Sequence, residues 1–191
     1  MRIKCCGITR PEDALFAEAC GADAIGVVVF SPPSVRSVSI EQAQEIFDAV
    51  GPFITTVAVS HTTSNEELEQ ILALRPDAIQ ISHPFPFRKK PAPKVIQVIG
   101  KNDPLSIDCD AIIVDESHGS GRNFDLPHAR RIVMSSKKPV ILAGGLTPEN
   151  VQDAIRQVHP YAVDVASGIE TAPGIKDHKK IAAFIAAARS T

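Results

Sequence analysis

The run Ala24-Ile25-Gly26-Val27-Val28-Val29-Phe30 is almost wholly apolar and rich in β-branched residues. A strand with one face in water alternates apolar with polar side chains. This run does not, which is the pattern of a parallel sheet covered by helices. Seven further short runs follow suit, at 3–6, 53–59, 78–81, 94–99, 111–115, 139–143 and 162–166.

Helical patterns separate most of these strands. Thr9-Arg10-Pro11-Glu12 has the form of a capping box ahead of a helix through Cys20. Amphipathic or alanine-rich patterns cover 39–50, 64–74, 126–135, 148–158 and 177–189, and Thr147-Pro148 is set as N-cap and first helical residue. The middle differs. The proline-rich stretch 83–93 cannot hold an ordinary helix, and 101–110 has room for only a turn or a very short one. Eight strands in βα order point to one domain over residues 1–191, a compact (β/α)8 TIM barrel whose fourth and fifth helices are missing or vestigial. Such barrels usually need about 250 residues. A doubly wound open sheet is the structural alternative.

Composition narrows the function. The chain is 44% hydrophobic and 22% charged with a formal charge of −2, so no basic stripe or acidic run points to nucleic acid, a membrane or an acidic partner. No apolar stretch reaches the roughly 18 residues of a membrane span. Met1-Arg2-Ile3-Lys4-Cys5-Cys6 reads as a strand rather than a secretory signal, and a cytoplasmic location is the default expectation. The four cysteines, Cys5, Cys6, Cys20 and Cys109, lack zinc spacing and read as free thiols in a reducing compartment.

In a barrel the chemistry sits at the C-terminal ends of the strands. Alternation places Lys4 and Cys6 on one face of the first strand and Ile3 and Cys5 on the other. A charged Lys4 does not suit the helix layer, so Cys6 points into the barrel at the strand's end; a packing thiol is the bland alternative. Asp115 ends the sixth strand and leads into a loop rather than a helix, which favours catalysis over capping. Gly144-Gly145 and Ser167-Gly168 follow the seventh and eighth strands, where small residues expose backbone N–H groups to a phosphate. Arg36 is a candidate for an anionic substrate group, against the alternative of a solvated arginine. Asp164 has inward parity and either contacts substrate or pairs with Lys4. Gly121, in Gly119-Ser120-Gly121, permits close approach of a ligand.

At these residues the chain resembles the phosphoribosylanthranilate isomerase family of tryptophan biosynthesis. Lys4-Cys5-Cys6-Gly7-Ile8-Thr9 is similar to that family's Lys-Ile-Cys-Gly-Ile-Thr signature. The stretches 21–26, 34–36, 144–151 (Gly-Gly-Leu-Thr-Pro-Glu-Asn-Val), 162–170 and 173–177 continue the likeness. It departs at Gln80-Ile81-Ser82-His83, where the family has Gln-Leu-His-Gly, and at 118–122. The first departure bears on recognition of the anthranilate side.

The resemblance implies an Amadori rearrangement of N-(5-phosphoribosyl)anthranilate to 1-(2-carboxyphenylamino)-1-deoxyribulose 5-phosphate. Cys6 would be the general base, Asp115 the general acid, Arg36 a contact for the substrate's anionic part, and the two glycine loops the phosphate site. It implies no metal and no organic cofactor. The partner is a small phosphorylated molecule, and the chain itself is a monomer or homodimer. A related phosphosugar isomerase or lyase of altered specificity, prompted by Ser82, is one alternative. A non-catalytic phosphoribosyl-ligand-binding barrel is the other.

Overall fold

Period-two alternation needs a closed sheet if its inner face is to be buried, and the chain supplies one. The computed structural model describes residues 1–87, 90–100, 108–115 and 126–190. Eight strands form the ring: β1 (Arg2–Cys6), β2 (Ala24–Val29), β4 (Thr55–Ser60), β5 (Ala78–Ile81), β6 (Lys94–Ile99), β7 (Ala111–Asp115), β8 (Val140–Ala143) and β9 (Ala162–Val165). A two-residue β3 (Ser37–Val38) lies along the outer end of β2. All neighbours in the ring are parallel, and β1 pairs with both β2 and β9, which closes the barrel.

Six α-helices occur among the described residues: α1 (Pro11–Ala19), α2 (Ile40–Ala49), α3 (Asn65–Ala73), α4 (Leu126–Ser135), α5 (Val151–Val158) and α6 (His178–Arg189). Residues 82–87, 90–93, 100 and 108–110, on either side of β6, contain no helix. No helix occurs in these described stretches, as the prolines of 83–93 require for the first of the two gaps.

Two apolar layers follow from the alternation. Ile3, Cys5, Ile25, Val27 and Val29 face outward and pack with Ile181, Phe184 and Ile185 of α6 and with the other helices. Cys6, Val28, Val57, Val59, Ile96, Ile113 and Ile141 form a separate inner cluster. The adjacent Cys5 and Cys6 thus belong to different cores.

Local expectations fail in three places. The capping box at Thr9 is not formed: Arg10 is the N-cap of α1 without a side-chain bond, and the Thr9 hydroxyl donates instead to Gly174 O at 2.9 Å. A tertiary partner has outcompeted the local one. Helix α5 begins at Val151 rather than at 148; Thr147 O accepts from Asn150 N and Val151 N in the turn before it. Phe30 has φ 48°, so β2 ends one residue earlier than the apolar run. The hairpin of β10 (Glu170–Ala172) and β11 (Ile175–Lys176) had no apolar signal to reveal it.

The loops after β8 and β9 are packed against each other. A Cβ on Gly168 would sit 1.9 Å from Leu146 O, so only glycine allows this approach. Gly168→Ala is expected to lower stability by about 1–3 kcal/mol, as overpacked sites do, read as the shift of a urea unfolding midpoint. An unchanged midpoint would show that the two loops part without cost.

Candidate active site

The C-terminal mouth of the barrel encloses a cavity of about 470 Å³, lined by Cys6, Arg36, His61, Gln80, Asp115 and Asp164 among others. A larger cavity of about 700 Å³ opens at the opposite end beside Arg2, Asp23, Asp77 and Tyr161. Neither Cys6 nor Asp115 reaches that one. The smaller cavity brings together Cys6, Arg36, Asp115 and Asp164 of the residues singled out in the sequence; Gly144, Gly145, Ser167 and Gly168 are not among its lining residues, although Ala166, next to Ser167, is.

Cys6 ends β1 and is 6% exposed. Lys4, two residues back on the same face, donates to Asp164 Oδ1 of β9 at 2.9 Å, and both are buried. Gly26 of β2 makes room for them: a Cβ there would lie 2.8 Å from Lys4 Nζ and 2.9 Å from Cys6 Sγ. Burial alone would pull the Lys4 ammonium down, but the Asp164 carboxylate beside it holds it above its usual value. Burial, reinforced by the charge of Asp164, pushes the Cys6 thiol up; Lys4 acts in the opposite direction.

Asp115 stands at the end of β7, across the mouth, within electrostatic reach of Asp164. Arg36, in the loop after β2, is not a solvated arginine. Its Nε and Nη2 donate to the two carboxylate oxygens of Glu170 at 2.8 and 2.7 Å. Lys176 Nζ donates to Glu170 Oε1 at 2.8 Å and to Ala166 O at 3.0 Å. Asp164 pairs with Lys4, one of the two roles left open for it, and lines the cavity.

Gly144 and Gly145 turn the chain after β8 with φ 91° and 61°. Ala166, a cavity residue, leads into Ser167 and Gly168 in a single 3-10 turn over Ser167–Ile169. The backbone N–H groups of Gly144, Gly145, Ser167 and Gly168 donate to no acceptor among the described residues. Gly121 lies outside the described residues. Among the described residues, no group of three or more His, Cys, Asp or Glu is placed to hold a metal ion.

Comparison with known proteins agrees with this geometry. The family model described as N-(5'-phosphoribosyl)anthranilate (PRA) isomerase matches residues 3–187. The chain belongs to the phosphoribosylanthranilate isomerase family. A relative of that name from Methanoregula boonei is 65% identical, over 99% of this chain and 97% of its own. A solved phosphoribosylanthranilate isomerase in complex with reduced 1-(o-carboxyphenylamino)-1-deoxyribulose 5-phosphate is 35% identical, with a TM-score of 0.85 and full coverage of both chains. A structure of mutually generated monomers of the dimeric phosphoribosylanthranilate isomerase from Thermotoga maritima is 34% identical, with a TM-score of 0.87 and full coverage of both.

Within this isomerase-family site, sequence reasoning passed over Glu170 and Lys176 as site residues, because charged residues beyond the last strand read as loop. It also passed over His61, although a polar residue directly after an apolar strand is the same signal that exposed Asp115. Gln80 was detectable by its inward parity with Ala78.

Burial would raise the Glu170 carboxyl, but hydrogen bonds and charge from Arg36 and Lys176 hold it below its usual 4.5. A carboxylate with a lowered pKa contributes stability above its ordinary pKa and loses it as pH falls through the lowered one. Glu170→Gln is therefore expected to destabilise the protein at pH 7 by about 3–5 kcal/mol, the cost of stranding buried cations. Melting curves of both proteins between pH 7 and pH 3 should converge as pH falls; a constant gap would remove Glu170 from the acid transition.

Proposed function

We propose that the chain is a phosphoribosylanthranilate isomerase that converts N-(5-phosphoribosyl)anthranilate into 1-(2-carboxyphenylamino)-1-deoxyribulose 5-phosphate in tryptophan biosynthesis. The observation that carries this reading is a buried thiol and a carboxyl group lining one barrel mouth, near two loops whose backbone N–H groups have no acceptor among the described residues.

Asp115 is the general acid. It gives a proton to the furanose ring oxygen as the C1–O bond breaks, and the nitrogen lone pair forms the C1=N bond of a cationic imine. Cys6 is the general base. Its thiolate takes the proton from C2, the C2–H electron pair moves toward the imine nitrogen, and the resulting enolamine tautomerises to the ketone. The imine cation makes the C2 proton acidic, and together with Lys4 it favours the thiolate that burial disfavours.

Gly144, Gly145, Ser167 and Gly168 hold the phosphate through backbone N–H groups, as the loops after the last two strands do in many barrels. Arg36 offers its remaining guanidinium N–H groups to an anionic part of the substrate, held in place by Glu170. Asp164 keeps Lys4 beside Cys6 and borders the sugar.

The working form is a monomer or a homodimer; the dimeric Thermotoga maritima relative supports the second. The enzyme works in the cytoplasm. Among the described residues no helix is long and apolar enough to cross a membrane.

Cys6→Ser and Asp115→Asn are each expected to lower kcat by about 10²–10⁴-fold, the usual contribution of a positioned acid or base, with far-UV spectra unchanged. The assay follows loss of the fluorescence of N-(5-phosphoribosyl)anthranilate together with chromatographic detection of the deoxyribulose product. Turnover unaffected by either change would reject the acid–base pair. Arg36→Ala is expected to raise KM about tenfold, the value of a hydrogen bond to a charged group; an unchanged KM would leave Arg36 with only its ion pair to Glu170.

A further inference from the structure

Lys176 is buried at the end of β11, and the chemistry proposed above gives it nothing to do. A buried ammonium has to find acceptors close by. Lys176 stands opposite Glu170 across the hairpin, and its Nζ donates to Glu170 Oε1 at 2.8 Å. Its second acceptor lies outside the hairpin. Nζ also donates at 3.0 Å to Ala166 O, the carbonyl directly after β9 and directly before Ser167.

That bond fixes more than a carbonyl. Ala166 O and the Ser167 N–H belong to one peptide group, which is trans and planar and so carries them on opposite sides. With the oxygen drawn to Lys176, the Ser167 N–H points away from the ammonium. It donates to no acceptor among the described residues, and Ala166 lines the cavity that holds Cys6 and Asp115. A flip of this peptide would strand a Lys176 donor in a dry place and turn a carbonyl towards an arriving anion. The turn's own closing bond, from Ile169 N–H to the same oxygen, is long at 3.4 Å. Lys176 is held from behind. Asp177 N–H donates to Ile169 O at 2.9 Å, and Lys180 Nζ donates to Glu170 O at 2.7 Å, so the hairpin and the start of α6 form one frame.

We propose that Lys176 is a positioning residue for the substrate's phosphate, holding the Ala166–Ser167 peptide so that its N–H is presented to the anion. This rests on the functional reading above, which puts the phosphate at Ser167 and Gly168. A lysine suits the task because its compact ammonium can serve two acceptors at once, the Glu170 carboxylate and the Ala166 carbonyl. The donor is set before the ligand arrives, so binding does not have to order it. Arg36 keeps both its bonds to Glu170 without Lys176, so the effect is confined to the phosphate end.

The test is calorimetric titration with two ligands, reduced 1-(o-carboxyphenylamino)-1-deoxyribulose 5-phosphate and the same compound without its phosphate. The unmodified chain should prefer the phosphorylated ligand. Lys176→Met keeps the length of the side chain and removes its donors. It should cut that preference about tenfold, the worth of one hydrogen bond to an anion, and change affinity for the dephosphorylated ligand less than about twofold. Should Lys176→Met fail to fold, Lys176→Leu carries the same comparison. In nitrogen–proton correlation spectra of the unmodified chain, the Ser167 amide should move downfield with the phosphorylated ligand and stay in place with the other. A preference that survives loss of the ammonium, or an equal weakening of both ligands, overturns the assignment. So does a Ser167 amide that the phosphorylated ligand leaves unmoved. Failure of the unmodified chain to bind either ligand removes the functional reading and this inference with it.

Discussion

Lys4 and Asp164 face each other in register where the first barrel strand meets the last, with an ammonium–carboxylate distance of 2.9 Å and both side chains buried. Desolvating two such charges offsets much of their attraction, so the pair adds little net stability over an apolar substitute. What it adds is a penalty on mispairing. A slip of one residue would set the ammonium against Val163 or Val165 and turn Cys6 out of the barrel, because alternation flips every side chain at once. Closure of the ring and the direction of the thiol are therefore one constraint.

That constraint also sets the electrostatics. Asp164 holds Lys4 charged and opposes ionisation of Cys6, while Lys4 favours it. The thiol sits between opposed fields in a dry place, with Gly26 leaving the space in which both side chains lie. A second buried network, Arg36–Glu170–Lys176, repeats the design at the rim. It ties the loop after β2 to the hairpin of β10 and β11, so the loop that carries Arg36 is anchored to the segment next to Ser167 and Gly168.

Much of this was legible in the sequence, for reasons that differ by residue. Strands buried on both faces announce themselves as β-branched runs, and the parity of Lys4 with Cys6 was enough to assign the thiol to the inner layer. Asp115 was legible because a carboxylate after an apolar strand has few structural excuses. Loop and cap geometry was not. Thr9 had a local partner available and took Gly174 O instead, a choice that only tertiary packing decides. Arg36 read equally well as solvated, since its partner Glu170 is 134 residues away. His61 and Ser82 follow different strands, and nothing in either local segment says that β4 and β5 bring His61 Nδ1 within 2.7 Å of Ser82 Oγ.

The arrangement has a further consequence for how charge is apportioned at the mouth. Lys4 and Arg36 are engaged by Asp164 and Glu170, and Lys176, which donates to Ala166 O next to Ser167, is engaged by Glu170, so each of these three cations already has a carboxylate partner. On the proposed function, phosphate binding then falls to oriented backbone dipoles, which carry no net charge. A lysine in those loops would favour the thiolate at all times, with or without substrate. On the proposed mechanism, peptide groups would leave the thiol to the opposed effects of Asp164 and Lys4 until a cation forms on the substrate's own nitrogen at the step that needs a base.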